Sequence, residues 1–327
     1  MRTKIIRGIL ERKVIDWMNS IEDHELAELV APHVVITGGC ITSMLLDEKV
    51  SDYDVYISNF EALRALTAYY VKQFCKNPPP KFGSGGCVSI GIKEENLRIK
   101  IVVKSAGVAG EAKTDGYEYF EAQPQEAAGQ YLDAVIRDTE DVGTPDSDNK
   151  MYTDLVKDVA EDLVPSKGKA KYRPVFLTSN AITLSDGLQL CIRFWGTPEE
   201  IHKNFDFVHC TNFYAHNTKR LDLNSAALES IVTRDLRYIG SLYPVCSVIR
   251  TRKFVKRGWH CNAGQFVKMA FQISDLDLTN VNVLEDQLTG VDTAYFQQLI
   301  TMIREDAEKN NVKIDQTYIV ELIDRLF

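Results

Sequence analysis

A chain of 327 residues is long enough for about two domains of ordinary size. Hydrophobic residues make up 45% of it and charged residues 26%, which is typical of a globular protein with a full core. No apolar run approaches the ~20 residues of a membrane span, and the basic N-terminus lacks the apolar segment of a signal peptide. Seven scattered cysteines without a CxxC pair favour reduced thiols over a disulfide framework or a zinc site. These features exclude membrane, fibrous and disulfide-rich secreted classes, and they predict a cytoplasmic protein.

The net charge of −8 conceals two segments of opposite sign. Residues 107–170 contain 15 acidic and 6 basic residues, whereas residues 234–268 contain 8 basic residues and one acidic residue. The basic segment indicates contact with phosphates, although an ordinary solvated helix face would have the same composition. The acidic balance of the whole chain argues against a generally basic nucleic-acid-binding protein.

The hydrophobic pattern predicts a mixed α/β N-terminal part and a helical C-terminal part. In chain order we predict helix 4–18, helix 22–30, strand 33–37, a short helix to residue 46, strand 53–57, helix 60–75, strands 87–92, 97–104, 175–177, 181–184 and 188–194, a helix start at 197–200, and strand 205–214. Helices are predicted over 224–234, 242–257, 262–273, 282–289, 293–309 and 316–326. The predicted class is α+β: a mixed β-sheet with flanking helices, followed by a helical C-terminal domain.

One segment lacks the hydrophobic periodicity of the predicted helices and strands. Residues 107–170 are weakly periodic and rich in Gly, Ala, Asp and Gln, which indicates an acidic insertion. We therefore predict one domain over residues 1–223, containing the insertion, and a helical domain over residues 224–327.

The stretch with the clearest chemistry joins a glycine turn to a pair of carboxylates. Gly38 and Gly39 follow a predicted buried strand and precede a helix, an arrangement that lets a backbone approach a ligand closely. Asp52 and Asp54 lie two residues apart at the next predicted strand, so both carboxylates point to one face. Two like charges on one face repel unless a cation lies between them, and Mg²⁺ prefers such oxygen ligands.

This combination resembles the DNA polymerase β-type nucleotidyltransferase superfamily, whose signature is a strand, a Gly-Gly or Gly-Ser turn, a helix and an acidic pair. Gly39 and Asp52 are 13 positions apart, within the range of that family. The order of segments over 188–207 is similar to nucleotidyltransferase-like proteins of tailed phages and large DNA viruses. The resemblance implies that residues 1–223 form a catalytic domain with a nucleotidyltransferase-type sheet. It also implies that the protein works in a host cytoplasm if it is viral.

The resemblance implies a magnesium-dependent transfer of a nucleoside monophosphate from an NTP, ATP among the candidates, with release of pyrophosphate. Asp52 and Asp54 would then hold two Mg²⁺ ions, with Mn²⁺ as an alternative. The family carries a third acidic residue on a later strand, and Asp206, between two phenylalanines, is our candidate for it. Asp206 would complete the second metal site and help to deprotonate the attacking hydroxyl.

Phosphate contacts are implied for the glycine turn. The backbone of Gly38, Gly39 and Cys40 would cradle the triphosphate, and Cys40 departs from the Ser that many members carry. Ser43, one helical turn later, is the candidate to replace that hydroxyl.

Related enzymes also bring a basic residue from the helical part to the β- and γ-phosphates. Basic residues recur at helical spacing over 250–257, and we assign that role to Lys253 or Lys256, with Arg257 next.

The leading hypothesis is a magnesium-dependent nucleotidyltransferase whose acceptor is an RNA 3′ end, because the basic segment suits a phosphate-rich acceptor. Transfer to a protein or a small molecule is the first alternative, and it predicts a small closed pocket. An inactive nucleotide-binding scaffold is the second alternative. The sequence leaves the nucleotide, the acceptor and the oligomeric state open.

Overall fold

The computed structural model describes residues 2–76, 88–95, 97–105, 171–178, 180–288, 303, 315 and 317–321. The predicted insertion at 107–170 and the predicted helix 293–309 therefore lie outside the described residues, except for Ile303. The described chain divides into two compact units, which are treated separately below. The first contains the described residues up to Ile201 together with 212–224, and the second contains 202–211 and those from Ser225 onward. No helix among the described residues is long and apolar enough to cross a membrane.

The first unit is a mixed α+β structure. Its helices are α1 (Thr3–Ser20), α2 (His24–Val30), α3 (Gly39–Leu45) and α4 (Phe60–Lys76), and α5 (Pro198–His202) lies at its boundary with the second unit. Its strands are β1 (Val34–Thr37), β2 (Tyr53–Ile57), β3 (Val88–Glu95), β4 (Arg98–Ser105), β5 (Pro174–Leu177), β6 (Ala181–Leu184), β7 (Leu188–Cys191), β8 (Phe213–Ala215) and β9 (Arg220–Asp222).

Seven of these strands form one mixed sheet in the order β5-β6-β7-β2-β1-β8-β9. Strand β2 pairs antiparallel with β1 and parallel with β7, and the other neighbours pair antiparallel. Strands β3 and β4 form a separate antiparallel hairpin. The expectation of a mixed sheet with flanking helices is therefore confirmed.

The alternation of side chains decides which face of the sheet is buried. Val34, Ile36, Val55, Ile57 and Leu190 pack into the main hydrophobic core. Helices α1 and α4 contribute apolar side chains to the same core, including Ile6, Leu10, Val14, Leu63, Leu66 and Phe74. Burial of such side chains contributes about 1.5–3 kcal/mol each to folding. The residues between them on β1, β2 and β7 point to the opposite face, because successive side chains of a strand alternate.

A buried hydrogen bond fixes the two longest helices of this unit against each other. The indole Nε1 of Trp17 on α1 donates to the hydroxyl of Tyr70 on α4 at 2.7 Å. Burial raises the pKa of Tyr70 well above its usual range, which favours the neutral phenol. Each polar group of this pair is thus satisfied inside the apolar core.

The second unit is helical where it is described. It contains α6 (Ser225–Thr233), α7 (Pro244–Lys256), α8 (Ala263–Ser274) and α9 (Val281–Leu288). Asn262 caps α8 by accepting from the backbone N–H of Gln265. An aromatic cluster of Phe207, His209, Phe254 and Trp259 forms part of its interior.

The predicted strand 205–214 is wrong. Residues 205–207 are not in a strand, Val208–Cys210 is a short 3₁₀ helix, and only Phe213–Ala215 pairs in the sheet. The alternating apolar residues that suggested a strand are explained by packing. Phe207 is buried against Tyr238 and Phe254 in the second unit, so its burial reflects that cluster and not a sheet face.

Candidate functional site

Three neighbouring strands bring polar residues into register on the face opposite the main core. Thr37 of β1 is the Cα partner of Asp54 on β2, and Asp54 is the partner of Gln189 on β7. The flanking residues Val55 and Leu190 belong to the core, so Asp54 and Gln189 point away from it. A polar row across the middle of an otherwise apolar sheet is the candidate functional site.

The glycine turn lies directly against the Asp54 carboxylate. A Cβ atom built on Gly38 would lie 2.8 Å from Asp54 Oδ2, closer than real Cβ contacts come. Gly38 has φ +92°, a backbone conformation that side-chain-bearing residues rarely adopt. Gly39 differs, because a Cβ there would meet nothing within 4 Å. The close approach therefore depends on Gly38.

Asp52 lies immediately before β2, one strand repeat from Asp54. Its Oδ1 accepts a hydrogen bond of 2.6 Å from the Ser51 hydroxyl, and its side chain is half-buried. The charges of Asp54 and Asp52 both raise the pKa of the Cys191 thiol, in agreement with the same-face placement that the two-residue spacing predicts. The predicted pair of like charges is thus present on one face of the sheet.

The pKa of the Cys191 thiol depends on the two carboxylates of this face. Its pKa is raised well above the usual range, first by burial and then by the negative charge of Asp54, with a smaller contribution from Asp52. A hydrogen bond with Tyr56 acts in the opposite direction. Burial and the two carboxylates thus both favour the neutral thiol over the thiolate.

The side chains of the predicted phosphate-binding helix point inward. Cys40 is buried, and its thiol donates to the carbonyl of Thr37 at 3.7 Å. Ser43 is buried as well, with 6% of its surface exposed. Contacts of this segment with a ligand would therefore come from the backbone, as predicted for Cys40, and Ser43 is poorly placed to replace a phosphate-binding hydroxyl.

Asp206 is not a strand residue, contrary to the prediction, and it belongs to the second unit. Its Oδ2 accepts from Arg250 Nη1 at 3.0 Å, in an ion pair whose carboxylate side chain is 11% exposed. Arg250 lies on α7, so this pair fixes the 202–211 segment to the helix. The structure thus gives Asp206 a guanidinium partner, and its assignment as third catalytic carboxylate stays a prediction.

The three predicted triphosphate contacts lie together at the end of α7. Lys253 and Lys256 are in its last turn, and Arg257 is the residue that follows the helix. Lys256 is exposed, while Lys253 and Arg257 are half-buried. Cations at a helix C-terminus are stabilised by the backbone carbonyls, which also explains their position without a ligand.

Two carboxylates on one face make an all-oxygen donor set of the kind that Mg²⁺ and Mn²⁺ prefer. Asp52 and Asp54 thus fit a divalent cation. Among the described residues, no group of three or more His, Cys, Asp or Glu side chains is assembled to hold a metal ion.

Two features of this region were missed from the sequence. Gln189 stands beside Asp54 in the sheet, and its signal is a single polar residue within the apolar run over 188–192. In the sequence, Arg250 is one basic residue among several over 234–268. Nothing in this local pattern indicates that Asp206 is its partner.

Fold and site together define an α+β protein with a mixed sheet that carries an acidic pair beside a glycine turn. Comparison with known families matches residues 9–234, well over half of the chain, to the Gabija anti-defense 2 family. The chain belongs to this family. A curated relative, Gabija anti-defense 2 of Bacillus phage SPbetaL7, is 23% identical over 100 residues, which are 30% of this chain and 25% of that protein. The chain thus spans about a quarter of the length of that relative. No solved structure matches the chain.

Proposed function

We propose that this chain is a magnesium-dependent nucleotidyltransferase that moves an NMP from an NTP to an acceptor hydroxyl at an RNA 3′ end. The observation that carries the proposal is the alignment of Asp52 and Asp54 on one polar sheet face, with Gly38 packed against Asp54. The sequence resemblance to the DNA polymerase β-type superfamily supports the same reaction, and it rests on the same four positions, Gly38, Gly39, Asp52 and Asp54.

Different residues of the first unit have different roles in the proposed reaction. Asp52 and Asp54 hold Mg²⁺, which stabilises the entering and leaving oxygens of an in-line displacement when it is bound. The backbone of Gly38, Gly39 and Cys40 contacts the triphosphate. The acceptor hydroxyl loses its proton to solvent water as its oxygen forms a bond to the α-phosphorus. The bond between the α-phosphorus and the oxygen that bridges the α- and β-phosphates breaks, and pyrophosphate leaves with that electron pair.

The second unit supplies the basic surface. Lys253, Lys256 and Arg257 are proposed to contact the β- and γ-phosphates or the acceptor backbone. The RNA acceptor is supported by the excess of basic residues over 234–268, which suits a polyanion. Asp206 is proposed to hold Arg250 in place on this surface through their ion pair.

The family gives the biological context of the proposal. Its name denotes action against a defence called Gabija, and the relative is encoded by a phage. We therefore propose that the chain acts in the cytoplasm of an infected host, where nucleotidyl transfer counters that defence.

The chemistry is tested by incubating the full chain with Mg²⁺, each α-labelled NTP in turn, and a mixed RNA pool. The matched control is Asp52→Asn/Asp54→Asn, which keeps the volume of both side chains and removes their charge. Labelled RNA that is absent in the control supports the proposal and identifies the nucleotide. Label on protein shifts the acceptor to a protein, and no label in the presence of either acceptor contradicts the proposed reaction.

A further inference from the structure

Helix α8 has polar residues on its inner side, whereas a surface helix ordinarily turns its apolar side inward. Gln265 Oε1 accepts from the backbone N–H of Tyr238 at 2.9 Å. Gln272 Oε1 accepts from the Tyr238 hydroxyl and, at 3.2 Å, from the backbone N–H of Ser241. Met269 lies between the two glutamines on the helix and is buried. Amide hydrogen bonds therefore supply much of the attachment of α8 to the rest of its unit.

The outer side of α8 carries an exposed apolar stripe. Phe271 is 71% exposed, Val267 51% and Phe266 43%, and Ala270 is exposed as well. Their spacing of i, i+1, i+4 and i+5 places them on one side of the helix. We call these four residues the outer stripe. Grouped apolar side chains that face solvent mark interaction surfaces, so the outer stripe is a candidate contact with a partner.

The pair of helices that carries the outer stripe is basic. Thr251 Oγ1 of α7 lies 4.0 Å from Met269 Sδ of α8, so the two helices are in direct contact. Residues 244–274, which contain both helices, include six basic residues and no aspartate or glutamate. One of the six is neutralised by the ion pair described above, but Arg252 on α7 and Lys268 on α8 have exposed side chains. Exposed positive charge and the outer stripe are therefore on the same pair of helices.

This charge decides which partner the outer stripe suits. A second copy of the chain would bring two helix pairs without acidic residues into contact, and their like charges oppose that association. Single-stranded RNA carries the opposite charge on each phosphate, and its unpaired bases present flat faces that stack on aromatic rings. Exposed aromatic rings beside basic side chains are the combination that surfaces for single-stranded nucleic acids share.

We propose that the outer stripe is a binding surface for single-stranded RNA, in which Phe266 and Phe271 stack on bases and Arg252 contacts phosphates. This inference rests on the RNA acceptor of the proposed function, and it assigns that acceptor a surface of the second unit. Stacking tolerates any base, because every base has a π face, so the surface binds RNA with little preference for sequence. Paired bases are already stacked on each other, so the surface favours a single strand over a duplex.

The proposal predicts separate effects of the rings and of the charge. Phe266→Leu/Phe271→Leu keeps the stripe apolar and removes both rings, so we expect single-stranded RNA to bind about tenfold more weakly. Phe266→Tyr/Phe271→Tyr keeps both rings and should bind as wild type does. Arg252→Gln should lower the slope of log affinity against log salt by about 0.7, the value for one phosphate contact on a single strand. Val232→Ala is the control, because it alters an exposed apolar residue of α6 in the same unit.

The measurement is the fluorescence anisotropy of a labelled single-stranded RNA and of its duplex, titrated with the full chain in the absence of NTP. Every protein carries Asp52→Asn/Asp54→Asn, so that nucleotidyl transfer cannot alter the RNA, and circular dichroism verifies that each variant is folded. We expect the leucine variant to lose affinity for the single strand and to keep its affinity for the duplex.

Equal affinity of the leucine variant and its parent for the single strand overturns the stacking surface, as does an equal loss for the duplex. Either result leaves the proposed reaction intact, because label transfer by the wild-type chain is measured separately. Absence of RNA binding by the parent also overturns the surface. A dimer that sedimentation detects in the parent and that the leucine variant dissociates would assign the outer stripe to a second copy and overturn the RNA surface.

Discussion

The backbone of Gly38 lies so close to the Asp54 carboxylate that one added methyl group would fall 2.8 Å from Oδ2. The glycine turn and strand β2 therefore pack directly against each other, and a side chain added at Gly38 would displace the Asp54 carboxylate. Their sequence separation is short, but the contact exists because β1 and β2 pair antiparallel with Thr37 opposite Asp54.

Replacing Gly38 with alanine should destabilise the protein, whereas replacing Gly39 should not. Alanine at φ +92° is strained, and its Cβ displaces the carboxylate, so we expect a loss of about 1–3 kcal/mol in the free energy of unfolding. Gly39 is at the start of α3 with open space around it, so alanine there is tolerated. Urea unfolding of both variants checks this, and equal stability of the two would contradict the contact.

The Asp206–Arg250 ion pair should contribute measurably to the second unit. Its carboxylate is mostly buried while its guanidinium is 30% exposed, so solvent screens part of the attraction. We expect Arg250→Met to destabilise by about 1–2 kcal/mol, mainly because it leaves Asp206 without its cation. Arg252→Met, on the same helix, is the comparison. A double-mutant cycle with Asp206→Asn measures the coupling directly, and a coupling energy near zero would refute a stabilising pair.

His209 should make the stability of the protein sensitive to acid. Burial lowers its pKa from the usual 6.5 to about 3, the nearby Asp206 charge opposes that shift, and Arg257 adds to it. The folded state therefore resists protonation that the unfolded state accepts. The stability contribution is complete above pH 6.5 and is lost as the pH falls toward 3, at a slope of about 1.4 kcal/mol per pH unit.

His209→Phe should flatten that dependence, since a phenylalanine ring does not titrate and suits the neighbouring Phe254 and Trp259 rings. Thermal melts from pH 7 to pH 4 compare this variant with wild type and with His24→Gln, which alters an exposed histidine. An unchanged slope in His209→Phe would show that the buried ring is not the group responsible.

Magnesium should stabilise the folded protein through Asp52 and Asp54. A cation that binds the native state raises the melting temperature in proportion to the logarithm of its concentration, once it exceeds the dissociation constant. Without metal, Asp52→Asn/Asp54→Asn should be at least as stable as wild type, because two like charges are removed from one face. Melting temperatures with EDTA and with increasing Mg²⁺ test both statements. A magnesium response that persists in the double variant would place the ion elsewhere.

Local patterns were sufficient to predict most of the first unit. Strand 53–57 and helix 60–75 agree with β2 and α4 to within one residue, and the acidic pair was found from its two-residue spacing. The pairing of strands that are distant in sequence could not be predicted from local patterns. Gln189 acquires its position only from the parallel pairing of β7 with β2 across more than a hundred residues. The apolar and aromatic residues over 205–214 predicted a strand, and the aromatic cluster accounts for the burial of Phe207 without one.

Whether this family member counters Gabija through its acidic pair is measured most directly by infecting a bacterial host that carries Gabija. The host expresses either the wild-type chain or Asp52→Asn/Asp54→Asn, with equal protein levels verified and a Gabija-free host as the reference. We predict that wild type restores plaque formation and that the double variant leaves it at the level of the empty vector. Full restoration by the double variant would contradict a role for the Asp52–Asp54 site.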